Sequence, residues 1–421
     1  MTLFDFINES PTPYHAVWNI AELLKAKGIS KLDEKEKWII EPGNSYYITR
    51  NDSSIIAIDV PKEPTGGFMI TASHSDSPAF RLKTNPEMKV GEAYLKLNCE
   101  PYGGLIAYGW FDRPLSIAGR VIVRTPNGQE RKLVDIDRDI LLIPSLAIHM
   151  NRKVNDGIKI DMQKDMLPIW TTDTEARLVD LIADSIGVEA KDILSSDLIV
   201  YVRNTGFSWG LNKEFISSPR LDDLECAYAS TKAFAENHPR EHINVLCVFD
   251  NEEVGSLTRQ GASSTFLKDT LKRVSLALGD SEEDFMIRIA KSYMISADNA
   301  HAMHPNSPEA SDPVNAPKLN KGIVIKHAAN AKYCSDGVST AAFAGMCQEI
   351  GVPVQHYHNK SGEPGGSTLG NLSNGQISLE SVDIGLPQLA MHAPVETAGR
   401  EDIEFLVRAL DYYYEMGITV M

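Results

Sequence analysis

The sequence predicts an α/β fold: a mostly parallel, mixed sheet sandwiched by helices and interrupted by an inserted β-rich domain. Three observations lead there. After Pro219, short apolar runs alternate with amphipathic stretches, the pattern of strands joined by crossover helices. Residues 67–73 (GFMITAS) form a continuous apolar run that breaks off in His74-Ser75-Asp76-Ser77-Pro78. A strand buried on both faces and ending in ionisable residues suits a central sheet whose carboxyl edge carries a site. From Met88 to Leu211, short alternating runs replace the longer ones.

Taken in order, a helix is expected at 14–27, then short strands leading to the run at 67–73. Within 88–211, VIVRTPNGQERKLVDI carries the hairpin signal Asn127-Gly128, and a helical patch follows near 174–185. The α/β pattern resumes with a helix at 223–236 and the strand INVLCVF (243–249). A helix at 263–278 precedes the strand SYMISA (292–297), and GIVIKH (322–327) comes next. A helix at 338–350, the strand VPVQHY, a Gly-rich loop and an amphipathic helix at 401–416 complete the chain. The resulting division is 1–87 with 212–421 as one discontinuous domain, and 88–211 as the insertion.

Composition excludes several functions. Of 421 residues, 41 are Lys or Arg and 57 Asp or Glu, a net charge of −16. A nucleic-acid binder needs a basic face, and an anionic membrane attracts basic patches, so neither partner is expected. No apolar stretch approaches a membrane span. MTLFDFINESPTPYHAV lacks the basic and apolar regions of a signal peptide. The five cysteines form no CxxC pair, so neither a disulfide framework nor a zinc finger is expected, and a cytoplasmic location follows.

The chemistry gathers at strand and loop ends. They supply His74 and Asp76; Asp222 and Asp223 in SPRLDDL; Glu252 and Glu253 in DNEEVG; Asp298, His301 and His304; and His392 with Glu396. Each has a plain alternative. Glu252-Glu253 alone reads as a solvated helix start, Asp222-Asp223 as a helix cap, Asp298 as an Asx turn and His392 as a core histidine. Together they set His74, Asp222, Glu253, Asp298 and His392 where a parallel sheet would collect them. Imidazoles and carboxylates without thiolates suit Zn, Mn or Co. Five ligands with one shared carboxylate make a two-metal site. On an extended segment Glu252 and Glu253 would face opposite ways, one to ligate and one to serve as base. The Gly-rich stretch 362–368 lacks GxxxxGK[ST], so it is no P-loop; it reads as a pocket floor or a plain loop.

The segments SPTPYHAV, SHSDSPAFRLK, WFDRPLSIAGRV, SPRLDDL, DNEEVGS, SADNAHAMHPN and GLPQLAMHAPVETAG occur in one order along nearly the whole chain. Together they resemble the aspartyl aminopeptidase family of dinuclear metallo-aminopeptidases. The resemblance implies a zinc-peptidase-like fold with an inserted dimerisation domain, and removal of N-terminal residues from peptides with a free N-terminus. It implies two divalent ions, zinc above all with Mn or Co as substitutes, that activate a water. His74 and Asp298 would hold one ion, Glu253 and His392 the other, and Asp222 both. Asp76 would support His74, and Glu252 would be the general base. His301, Lys326 and Tyr333 would meet substrate, with His149 reaching a neighbouring subunit's site. A dodecamer of dimers and a preference for Asp or Glu are further implications; a neutral or basic preference stays open. A carboxypeptidase or deacylase of the same architecture is an alternative, but would need an arginine-lined pocket for a substrate carboxylate. A non-catalytic assembly protein would have shed ligands, yet all five and Glu252 are present.

Overall fold

A computed structural model describes residues 1–363 and 365–418. Its central feature is a nine-stranded mixed sheet. The order is Ser30–Lys31, Ser45–Arg50, Ser54–Asp59, Ile243–Phe249, Phe68–His74, Tyr293–Ala297, Glu380–Gly385, Ile323–His327 and Val354–His358. The four middle strands, from Ile243–Phe249 to Glu380–Gly385, are mutually parallel. Ile323–His327 runs antiparallel to Glu380–Gly385 and parallel to Val354–His358.

The sheet is covered on both sides, which is why strands Phe68–His74 and Ile243–Phe249 are buried at every position, and mostly apolar, rather than at every second one. Leu246 and Val248 face one core with helices Pro13–Ala26, Leu221–Glu236, Gly337–Glu349 and Arg400–Met416. Val245, Cys247 and Phe249 face the other, against helix Phe266–Ala277 and Phe285. The helix Glu282–Ala290, which the sequence reading did not anticipate, opens with a capping box between Ser281 and Asp284.

The β-rich insertion is a six-stranded, wholly antiparallel sheet. Its order is Gly128–Asp135, Leu115–Thr125, Ile193–Val202, Ala79–Val90, Tyr94–Tyr102 and Ile169–Thr171. It has its own core, including Phe80, Trp110, Ile117, Val121 and Val200. The expected hairpin forms, displaced by one residue: Thr125 pairs with Gly128, so Pro126 and Asn127 make the turn.

A third sheet was not anticipated. Its order is Phe207–Trp209, Phe215–Ser218, Glu396–Gly399, Pro387–Leu389 and Ala300–His301. No helix among the described residues is long and apolar enough to cross a membrane. All five cysteines are free, four of them buried. Pro364, inside the Gly-rich stretch 362–368, lies outside the described residues.

Candidate active site

Three sheets deliver the site. The nine-stranded sheet contributes His74 as the last residue of its strand, the Glu252–Val254 turn after Ile243–Phe249, and Asp298 after Tyr293–Ala297. The third sheet leads from Phe215–Ser218 into Asp222 and carries His392 between Pro387–Leu389 and Glu396–Gly399. Asp222 and Asp223 are non-helical in backbone angle and joined by a cis peptide, so the regular helix starts at Leu224. The six-stranded sheet brings Tyr102 and Gly104 to the same place.

The five expected ligands converge. His74 Nε2 lies 3.5 Å from Asp222 Oδ1 and 3.8 Å from Asp298 Oδ1. His392 Nε2 lies 3.4 Å from Asp222 Oδ2 and 3.3 Å from Glu253 Oε2. Each oxygen of Asp222 thus faces a different histidine. Two ligand groups follow: His74, Asp222, Asp223 and Asp298 in one, Asp222, Glu253 and His392 in the other.

The donor set fits divalent ions. His74 Nδ1 donates to the Asp76 carbonyl and His392 Nδ1 to the Gly104 carbonyl, each at 3.0 Å. Both rings therefore turn Nε2 inward, the orientation a metal-binding histidine needs. Asp222 Oδ1, Asp223 Oδ1 and Glu253 Oε1 are buried and find no hydrogen-bond partner among the described residues. Buried carboxylate oxygens without partners are costly unless a cation answers them.

The electrostatics agree. Burial opposes charge on His392, but Asp222 and Glu253 push it up to about 10. Burial likewise opposes charge on His74, yet Asp222, Asp298 and Asp76 hold it well above the usual range. Burial, joined by Asp222, raises Glu253 well above the carboxylate range. The cluster favours positive charge between its imidazoles and carboxylates, which protons or divalent ions can supply.

Glu252 sits on the same turn. Burial, with the carboxylates of Asp298, Asp76 and Asp222 against the opposing pull of His74, pushes it up to about 8. The pair Glu252-Glu253 is not extended, as the sequence reading supposed; it forms a 3-10 turn between left-handed Asn251 (φ 64°) and Gly255 (φ 94°). What imposes the turn is Asp76. Its Oδ1 accepts from the Glu252 amide at 3.1 Å and its Oδ2 from the Glu253 amide at 3.2 Å. The expected support of His74 by Asp76 comes first from its backbone carbonyl; its carboxylate lies farther from Nδ1, at 3.4 Å.

Asp76 belongs to a set of carboxylates that grip the backbone of other site residues. Glu396 accepts from the amides of Asp222 (3.0 Å) and His392 (2.7 Å). Asp223 accepts from the His74 amide at 3.0 Å. Sequence reading placed Glu396 beside His392 and Asp223 at a helix start, but nothing in either segment signalled these partners. Tyr102, also missed, donates to Asp76 Oδ2 at 2.7 Å and accepts from the Asn251 amide group at 2.8 Å.

The expected substrate residues divide. His301 is exposed on the strand Ala300–His301, its ring 6.0 Å from that of Tyr357. Tyr333 is buried with Lys326 Nζ 5.3 Å from its ring centre. Lys326 is no exposed strand-end lysine: it is 2% accessible. Its ammonium contacts the carbonyls of Asp298 (2.7 Å) and Asn299 (3.2 Å) and Asp298 Oδ2 (3.3 Å). All three N–H donors are engaged, so it acts on Asp298 rather than reaching outward. His149 is exposed on a wholly exposed segment, 144–150, of the β-rich part, and none of the hydrogen bonds among the described residues ties it to the cluster.

Comparison with known proteins agrees with this arrangement. The family model described as "Aminopeptidase I zinc metalloprotease (M18)" matches residues 6–414. The chain is 45% identical over 423 residues to "Probable M18 family aminopeptidase 2" of Clostridium novyi, covering 98% of each chain. It is 41% identical over 421 residues to the protein of the same description in Ectopseudomonas mendocina, covering 98% of this chain and 97% of that one. Among solved structures, that of the Ape4 and Nbr1 complex matches with a TM-score of 0.94 and 37% identity, over 98% of this chain and 84% of that one. The S. cerevisiae mApe1 dodecamer matches at 0.86 and 28%, over 98% and 95%.

Proposed function

Because the chain belongs to the aminopeptidase I zinc metalloprotease (M18) family, and is therefore a metallo-aminopeptidase, we propose that it works with two divalent ions and prefers acidic N-terminal residues. The observation that carries the two-ion reading is the split of Asp222, whose two oxygens face two different histidines. His74, Asp222 and Asp298 would hold one ion, and Asp222, Glu253 and His392 the other, with zinc the leading candidate and Mn or Co acceptable to the same donors. When bound, such ions would polarise a carbonyl and lower the pKa of a water. Glu252, on the turn that Asp76 holds, takes the proton of the attacking water and returns it to the leaving amine. Asp76 keeps that carboxylate aimed; His301 borders the substrate.

Acidic preference rests on the family resemblance and on positive charge at the rear of the site. Lys326 would contribute its field through Asp298, since its donors are engaged. Tyr333 would wall the pocket beside it.

We further propose that 1–87 with 212–421 is the catalytic domain and 88–211 an inserted dimerisation domain. Strand Ala79–Val90 pairs within the six-stranded sheet from Ala79 onward, so the inserted sheet begins before the expected boundary at residue 88. The S. cerevisiae relative is a dodecamer. The same assembly here, built from dimers, would carry His149 to a neighbouring subunit's site.

The test is Glu252→Gln assayed with Asp-, Glu-, Lys- and Leu-nitroanilides. Turnover is expected to fall by about 100-fold or more for every substrate, with bound metal unchanged by elemental analysis. A near-normal rate removes the base assignment. A Leu or Lys optimum in the unmutated enzyme removes the acidic preference.

A further inference from the structure

Strands Ile323–His327 and Val354–His358 lie at the end of the nine-stranded sheet, and Val354–His358 is its edge. Their parallel register sets Lys326 beside Tyr357 and His327 beside His358. Side chains alternate across a strand. Lys326 and Tyr357 point toward the site, where they meet Asp298 and His301. His327, His356 and His358 therefore share the opposite face.

The three histidines form a cluster there. His327 Nε2 and His356 Nδ1 are 3.0 Å apart. The ring of His358 stacks on that of His327, with centres 4.9 Å apart and planes 11° from parallel. His356 and His358 are exposed and His327 is half-buried. Two imidazole nitrogens bound to one ion at about 2.0–2.1 Å sit roughly 3 Å apart when they occupy neighbouring positions around it. The His327–His356 spacing already matches, so one ion could take the place of the shared proton. His358, stacked on His327, is the third imidazole beside that pair.

We propose that His327, His356 and His358 form a separate imidazole site for a borderline transition ion: zinc, nickel or copper(II). It differs in chemistry from the carboxylate-rich cluster, which suits Mn as well; three imidazoles without a carboxylate disfavour Mn and Mg.

The test uses untagged enzyme loaded with only two zinc ions per chain, freed of excess zinc and titrated with nickel(II) by calorimetry. One further nickel per chain is expected. His356→Asn combined with His358→Asn should weaken that binding by more than the about 10- to 100-fold that loss of an outer-shell partner costs a metal site. The double variant should keep normal peptidase turnover before nickel is added, which verifies its fold, and His149→Asn should bind nickel as the unmutated chain does. Equal nickel uptake by the double variant, or none by the unmutated enzyme, overturns the proposal. Manganese bound as tightly as nickel overturns the imidazole assignment.

Discussion

Glu396 is the residue whose removal should be felt most widely for its size. It touches no substrate, yet its two oxygens fix the backbone at Asp222, the shared ligand, and at His392, a ligand of one ion alone. Glu396→Ala leaves two buried amides without an acceptor, each costing about 1–3 kcal/mol. Unfolding in urea should show a loss of about 2–6 kcal/mol. Metal affinity, read by competition with a chromophoric chelator, should fall with it. Glu396→Gln, which keeps one acceptor oxygen, should lie between. An alanine variant as stable and as tight for metal as the parent would show that the two loops hold themselves. Asp76 performs the same service on the Glu252 and Glu253 amides, and Asp223 on that of His74, so ligands of both groups rest on buried carboxylates.

Among elements, the decisive join is between the six-stranded sheet and the catalytic turn. Tyr102, the last residue of its strand, reaches Asp76 and Asn251 together. Tyr102→Phe removes a hydrogen bond to a carboxylate, worth about 1.5–3 kcal/mol. If that bond keeps Glu252 aimed, kcat should drop about 10- to 100-fold with KM nearly unchanged. A shift in KM alone would make Tyr102 a wall of the pocket and not a support. The elements also show what the sequence could reveal. Of the four middle strands, Glu380–Gly385, whose apolar character is broken by Glu380, Ser381 and Asp383, was not anticipated; the other three were legible because burial on both faces makes them largely apolar runs, and a ligand type at the end of each run marks the site. Phe68–His74 and Ile243–Phe249 are such runs. The third sheet was not legible: Ala300–His301 and Pro387–Leu389 are too short to carry any period. Nor were the amide grips, four of which join residues 149 to 177 positions apart and leave no trace in local pattern; only that of Glu396 on His392 is local. The one error of geometry, an extended Glu252-Glu253, arose because a turn imposed by a distant Asp76 looks locally like any polar segment.

For the whole molecule the open question is what covers the β-rich part. Leu146, Ile148 and Met150 are 59%, 48% and 76% exposed within five residues of one another. Single exposed apolar side chains are ordinary, but a run of them is a mark of an interface. Every chain carries a net charge of −16, so like copies repel at long range. Salt confines that repulsion to about 8–10 Å, and apolar contact must do the rest. Assembly through this segment would also bring His149, which lies between Ile148 and Met150, against another copy. Ile148→Asp with Met150→Asp should therefore lower the mass seen by light scattering at chromatographic elution. Peptidase turnover should fall with it, while the metal content of each chain stays the same. A double variant that keeps both the parent's mass and its turnover would place the interface elsewhere. One that dissociates yet keeps full turnover would separate assembly from catalysis and free His149 from any role at a neighbour's site.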